Sequence, residues 1–171
     1  IIAADGVHSK IREGLDFGAT RRVLDTFINR YLLDSQVFTV ANTMHEHWSA
    51  DRRVGIMPSG NGKSFVYTVM SAKDQFACEI PLNIENWHAT FPTLRDLFEV
   101  LGNTETTQYA YPLVFSERWS LGKIALIGDA AHAMPPSLGQ GAGLTLMNSH
   151  ALAEVVSAAS DVEESLKHWE Q

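Results

Sequence analysis

Gly128-Asp129-Ala130-Ala131-His132-Ala133-Met134-Pro135-Pro136-Ser137-Leu138-Gly139-Gln140-Gly141-Ala142-Gly143 is the stretch on which the fold turns. The run Lys123-Ile124-Ala125-Leu126-Ile127 before it reads as a buried strand that ends at Gly128-Asp129. Behind it the spacing predicts a helix over 142–159, with Leu144, Met147, Ala151, Val155 and Ala159 on one face. Each part of this strand–loop–helix suits a nucleotide. Glycine lets a ligand approach the backbone closely. A carboxylate at a strand end accepts hydrogen bonds from ribose hydroxyls. The free N–H groups and positive dipole end of the helix attract an anionic or electron-rich group. Taken alone, the segment reads equally as an ordinary strand–loop–helix with a Gly-rich turn.

Working outward, the chain begins with a similar device. Ile1-Ile2-Ala3-Ala4 is a short apolar run ending at Asp5-Gly6, which predicts a second buried strand and a turn. Ser9, ahead of Lys10-Ile11-Arg12-Glu13, predicts a short helix. Ligands of open α/β sheets sit beyond the carboxyl ends of the strands, so Asp5 and Asp129 both stand where a nucleotide would lie. Between the two ends the pattern is β-like at 31–33, 36–40, 54–57 and 65–70, with a hairpin turn at Ser59-Gly60-Asn61-Gly62-Lys63. A helix is predicted over 87–101, with Phe91, Leu94, Leu97, Phe98 and Leu101 at helical spacing. Asp161-Val162-Glu163-Glu164 opens a last helix as a capping box. The fold class is therefore α/β (α+β), with two short buried strands bracketing an antiparallel sheet.

Composition narrows the function. Of 171 residues, 45% are hydrophobic and 19% charged, as expected of a globular chain that buries a core. A net charge of −7 with scattered Lys and Arg gives no pull towards nucleic acid or an anionic membrane. No apolar run is long enough for a membrane span, and no signal peptide is evident. The single cysteine, Cys78, excludes an internal disulfide and fits a reducing, cytoplasmic setting, where it reads as a small apolar filler. The start at Ile1, inside an apolar run, predicts an internal piece of a longer protein.

Gly128-Asp129-Ala130-Ala131-His132 with Pro135-Pro136 and Gly139-Gln140-Gly141 resembles the second FAD motif of the class A flavoprotein monooxygenases, the para-hydroxybenzoate hydroxylase-like family. Ala4-Asp5-Gly6-Val7-His8-Ser9-Lys10-Ile11-Arg12 is similar to the Asp-Gly motif of the same family, and the β-rich insert stands between the two as it does there. The resemblance implies an FAD-binding Rossmann-like domain formed by residues 1–20 and 113–171, with a substrate-binding insert at 21–112. It implies cofactor contacts at Asp5, Gly6, Arg12, Gly128, Asp129, Pro135, Pro136, Gly139, Gly141, Ala142 and Gly143. In it Asp129 holds the ribitol or ribose side, Pro135 and Pro136 line the flavin ring, and Gly141, Ala142 and Gly143 offer N–H groups to the flavin O2 side. Arg12 is implied near the cofactors, NAD(P)H included, and His132 is implied to shape the loop. The implied reaction is hydroxylation of a small aromatic or heteroaromatic molecule. NAD(P)H reduces the flavin and O₂ forms a C4a-hydroperoxide that donates one oxygen atom. No catalytic base is assigned and oligomeric state is left open. Same-fold epoxidases and reductases, and a non-catalytic flavin-binding fragment, are the alternatives.

The family's Gly-x-Gly-x-x-Gly segment does not occur, since Gly139-Gln140-Gly141-Ala142-Gly143 has another spacing and follows another strand. Gly60-Asn61-Gly62-Lys63-Ser64 ends like a phosphate-binding loop, but Met57 stands where that motif needs glycine. His45 and His47 would share a strand face, with His88 as a distant third imidazole; no metal site is expected.

Overall fold

The computed structural model describes residues 1–171. In chain order the first elements are strand β1 (Ile2–Ala3), helix α1 (Lys10–Gly14) and strands β2 (Ala19–Leu33), β3 (His45–Ser49), β4 (Arg52–Pro58) and β5 (Ser64–Ser71). Helices α2 (Ile84–Thr90) and α3 (Arg95–Gly102) follow, then strands β6 (Thr107–Ser116), β7 (Ser120–Leu121) and β8 (Ile124–Leu126). Helices α4 (Asp129–His132), α5 (Gln140–Ser157) and α6 (Val162–Trp169) complete the chain. These elements form two compact units, Ile1–Leu24 with Pro112–Gln171, and Asp25–Tyr111.

In the two-segment unit the sheet order is β1-β8-β7. β1 and β8 run parallel, pairing Ile2 with Ala125 and Ala3 with Leu126. Side chains alternate across a strand, so Leu126 and Ala125 face opposite sides, and each side is covered. Ala3 and Leu126 pack with Phe17 and Ala131, while Ala125 packs with Leu152 of α5 and Leu166 of α6. The predicted strand at the start forms over Ile2–Ala3, with Ala3 buried and β8 as its partner. α5 departs from its predicted face. Leu152 is its buried anchor, while Met147 is 69% exposed. Asp161 caps α6, accepting from the backbone N–H groups of Glu163 and Glu164. Past the helix, Glu170 accepts from the N–H groups of Trp119 and Ser120 at 2.8 and 2.6 Å, tying that end to β7.

The other unit carries a five-stranded sheet of order β3-β4-β5-β2-β6. One face supplies Tyr31, Leu33, Val54, Ile56, Val66 and Met70 to a core closed by Trp87, Phe91, Leu97, Phe98 and Leu101. The β4–β5 hairpin turns as predicted, with Asn61 and Gly62 at φ 50° and 74° and Ser59 N–H donating to Lys63 O at 2.9 Å. Two expectations fail here. Residues 36–40 form a turn and a single bridge, Val40 to Thr43, instead of a strand. The helix predicted over 87–101 is broken at Pro92, which has no N–H for the helical ladder and pushes Phe91 out of the helical region, to φ −128° and ψ 78°.

Sequence pattern also left unmarked the clamp that joins β4 to α2. Arg52 donates to Asp74 at 2.7 Å, to the Asn86 carbonyl at 3.0 Å and to the Thr90 hydroxyl at 2.7 Å, with its guanidinium over the Trp87 ring. Cys78 is half-buried and its Sγ donates to the Ser71 carbonyl; burial pushes its thiol up, which suits a filler and not a nucleophile.

Candidate functional site

The parallel pairing of β1 and β8 brings the two acidic turns to the same end of one sheet, with Ile127 N–H donating to the Ala3 carbonyl at 3.0 Å. Beyond that end lies a cleft of about 790 Å³ lined by Ala4, Gly6, Ile127, Gly128, Asp129, Met134, Pro136, Gly139, Gly141, Ala142, Thr145 and Leu146. Its walls are mostly apolar or backbone, with the Asp129 carboxylate as the charged group. Two glycines set its shape. Gly6 has φ +78° with open space where a Cβ would stand, and Gly128 has φ +59° with the Thr145 side chain 3.1 Å from that position. A β-carbon at Gly6 would strain the turn, and one at Gly128 would also press against α5. Gly139, at φ +63°, starts α5 without any side-chain cap, so the first N–H groups of that helix are left to a ligand or solvent.

Of the residues named from sequence, Gly6, Gly128, Asp129, Pro136, Gly139, Gly141 and Ala142 line this cleft. Asp5, Arg12, Pro135 and Gly143 are not among its lining residues. Asp5 is occupied at the start of α1, where Oδ2 accepts the Lys10 N–H at 2.8 Å. That bond and one from Ser9 hold its carboxyl below the usual aspartate range, with the Ser9 bond the larger cause. Arg12 is buried, not a surface charge on the helix. Its guanidinium donates to the carbonyls of Ala130 at 2.8 Å and Val7 at 2.7 Å. It thereby staples the turn after β1 to α4, so that the two halves of the cleft keep one spacing. His132 packs 5.0 Å from the Trp119 ring with Nε2 3.5 Å from Asn148 Nδ2 and is not among the lining residues.

Sequence reading also passed over a polar cluster on the five-stranded sheet. Register sets Glu46, Gly55 and Tyr67 side by side across β3, β4 and β5. A Cβ on Gly55 would collide with the Tyr67 ring, so glycine lets that ring lie across the strand, where its hydroxyl donates to Glu46. Arg53, 6% exposed, sits 3.6 Å from Glu46 and 4.6 Å from the Trp48 ring centre. Burial, then the hydrogen bond to Glu46, pushes the Tyr67 phenol far above its ordinary value. Gly55 inside a strand was the available signal, since such a glycine marks close approach. No three His, Cys, Asp or Glu side chains gather as a metal set, and no helix is long and apolar enough to cross a membrane.

The family described as FAD binding domain matches residues 1–165. The chain is 30% identical over 176 residues to a probable 2-heptyl-3-hydroxy-4(1H)-quinolone synthase of Rhodococcus erythropolis, covering 100% of this chain and 46% of that protein. It is likewise 30% identical to a 2-heptyl-3-hydroxy-4(1H)-quinolone synthase of Mycobacteroides abscessus, covering 100% of this chain and 47% of the relative. Among solved structures, the tetrameric form of 2-methyl-3-hydroxypyridine-5-carboxylic acid oxygenase superposes with a TM-score of 0.84 at 28% identity, over 99% of this chain and 48% of that one. The chain thus spans about half the length of the relatives it matches.

Proposed function

The chain belongs to the FAD binding domain family, and from that premise we propose that the whole protein is an FAD-dependent monooxygenase that hydroxylates a small heteroaromatic ring with NAD(P)H and O₂. The observation that carries this reading is the shared end of β1 and β8, where Gly6 and Gly128-Asp129 face the uncapped start of α5 across one cleft. The similar proteins, a probable 2-heptyl-3-hydroxy-4(1H)-quinolone synthase and a 2-methyl-3-hydroxypyridine-5-carboxylic acid oxygenase, support the ring class.

The residues present fit a flavin nucleotide. The open space at Gly6 and Gly139 is a cradle that side chains would fill, and the cleft has the size of small-molecule sites. In this reading Asp129 accepts hydroxyls of the ribityl or ribose chain, and Gly128 keeps the backbone close. The first N–H groups of α5, at Gln140, Gly141 and Ala142, donate towards negative charge on the pyrimidine side of the ring. Pro136 and Met134 give an apolar wall that excludes water. When bound, FAD supplies the transfer of electrons and the activation of oxygen. The protein's part is to bind, orient and keep dry, with Arg12 holding the spacing of the two motif turns. Residues 1–20 and 113–171 are read as the cofactor domain, residues 21–112 as the substrate domain, and the protein as cytoplasmic.

Oxygen uptake by the full-length protein, with NADH or NADPH and a panel of quinolones, hydroxypyridines and phenols, tests the reading. The expected result is ring-dependent NAD(P)H oxidation with one ¹⁸O atom in the product. Protein that retains FAD yet hydroxylates no ring would refute it.

A further inference from the structure

Arg30 projects from β2 and Tyr109 from β6, and the guanidinium lies 5.2 Å from the Tyr109 ring centre. A cavity of about 640 Å³ opens there, within the size range of small-molecule sites. Its walls include Ile80, Pro81, Gly102 and Glu105 besides Arg30 and Tyr109. All belong to the Asp25–Tyr111 unit, and none lines the cleft at Gly128. Ile80 and Tyr109 are 51% and 48% exposed, so part of the wall is open apolar surface. Arg30 brings one positive charge and Glu105 one negative charge. Neither enters an ion pair of the chain, although both line the same cavity.

Local bonds keep these charges apart. Arg30 is held over the Tyr109 ring, as guanidinium groups are by aromatic faces. Glu105 stands on a segment pinned at both sides. The Thr104 hydroxyl donates to the Val100 carbonyl of α3 at 2.8 Å, and the Thr106 hydroxyl to the Arg30 carbonyl of β2 at 2.9 Å. The end of α3 at Gly102 adds the partial negative charge of a helix C-terminus to the wall. A ligand with one charge therefore gains at one point and loses at another. A simple anion meets Arg30 but also Glu105 and the end of α3; a simple cation meets those but also Arg30. A molecule that carries a carboxylate and an ammonium gains at both, and its carboxylate suits the planar fork of Arg30.

We infer that this cavity binds a free, zwitterionic amino acid with an apolar side chain. The carboxylate meets Arg30, the ammonium meets Glu105 and the end of α3, and the side chain lies against Ile80, Pro81 and Tyr109. A peptide terminus carries only one of the two charges, so the free amino acid is the better match. The inference uses no residue of the Gly128 cleft and does not rest on the hydroxylase reading. It gives the chain a second ligand class, separate from the ring that the flavin would oxidise.

The test is calorimetric titration of the full-length, FAD-loaded protein with probes that share one ring. They are L-phenylalanine, 3-phenylpropionate, which lacks the ammonium, and 2-phenylethylamine, which lacks the carboxylate. Phenylalanine is expected to bind about tenfold tighter than either partial probe, the scale of one charge-assisted contact. Arg30→Gln is expected to weaken phenylalanine and phenylpropionate by about tenfold and to leave phenylethylamine no weaker. Glu105→Gln is expected to weaken phenylalanine and phenylethylamine by about tenfold and to leave phenylpropionate no weaker. The wild-type ranking needs no variant, so a variant that fails to fold leaves the test standing. Absence of phenylalanine binding overturns the inference, as does a partial probe that binds as tightly. Equal weakening of all probes by either variant overturns it as well. Saturating 4(1H)-quinolone is expected to leave phenylalanine affinity unchanged; competition between them would merge the cavity with the ring site and overturn a separate one. Quinolone bound but never hydroxylated would sink the hydroxylase reading alone.

Discussion

At Gly128 a side chain is resisted twice, by φ +59° and by the Thr145 methyl 3.1 Å from where a Cβ would stand. Gly128→Ala is expected to cost about 1–3 kcal/mol in strain and contact. Under the FAD reading it also weakens cofactor retention, measured by flavin release on gel filtration of the full-length protein. Retention unchanged by the substitution would remove Gly128 from the cofactor wall. Tyrosine chemistry gives a second residue-scale expectation. The phenols of Tyr31, Tyr67 and Tyr111 all lie above their ordinary value in the folded chain, each mainly through burial. The unfolded chain therefore loses these protons first. Their contribution is fully present below about pH 10 and is lost as pH rises from there through the folded values. Urea midpoints should fall as pH rises from about 10 to about 11, and Tyr67→Phe should flatten the slope. An unchanged slope would mean that Tyr67 is not held protonated.

Elements depend on residues that pattern reading passes over. Trp87 to Leu101 has helical apolar spacing, yet Pro92 divides it, because spacing records which face is buried and not whether the ladder is continuous. Arg52 joins β4 to α2 through Asp74, Asn86 and Thr90, with its side chain 12% exposed. Arg52→Ala leaves the Asp74 carboxylate without its partner and should destabilise the protein by about 3 kcal/mol. Chemical denaturation measures this directly. A change below about 0.5 kcal/mol, the range of ordinary surface substitutions, would show that the clamp contributes little.

For the whole molecule, the two units have separate cores, one around Leu126 and Leu152 and one around Trp87 and Phe98. A ligand of one unit should therefore protect that unit most. Hydrogen exchange of the full-length protein with and without FAD is expected to slow amides in 1–24 and 112–171 far more than those in 25–111. Protection confined to 25–111 would reverse the proposed division of roles. A ring probe such as 4(1H)-quinolone should give the complementary pattern, slowing amides in 25–111 most.

The mixed fold, the hairpin at Asn61-Gly62, the Ser9 and Asp161 caps and the family itself were legible in the sequence. Each rests on a local rule: positive φ at a turn, an oxygen at a helix start, glycine beside an acid at a strand end. Gly128-Asp129 was therefore readable as one wall of a nucleotide site, and Asp5-Gly6 as a matching turn. Tertiary structure alone decided how they combine. Parallel pairing of β1 with β8 sets Gly6 beside Gly128 on the cleft and brings Arg12 to the Ala130 carbonyl as a buried staple. Of the Glu46–Arg53–Tyr67 cluster only Gly55 left a mark in the sequence, because its members come from three strands and meet only through register. Local chemistry is written in neighbouring residues; the partner that satisfies a buried charge comes from wherever the chain folds back.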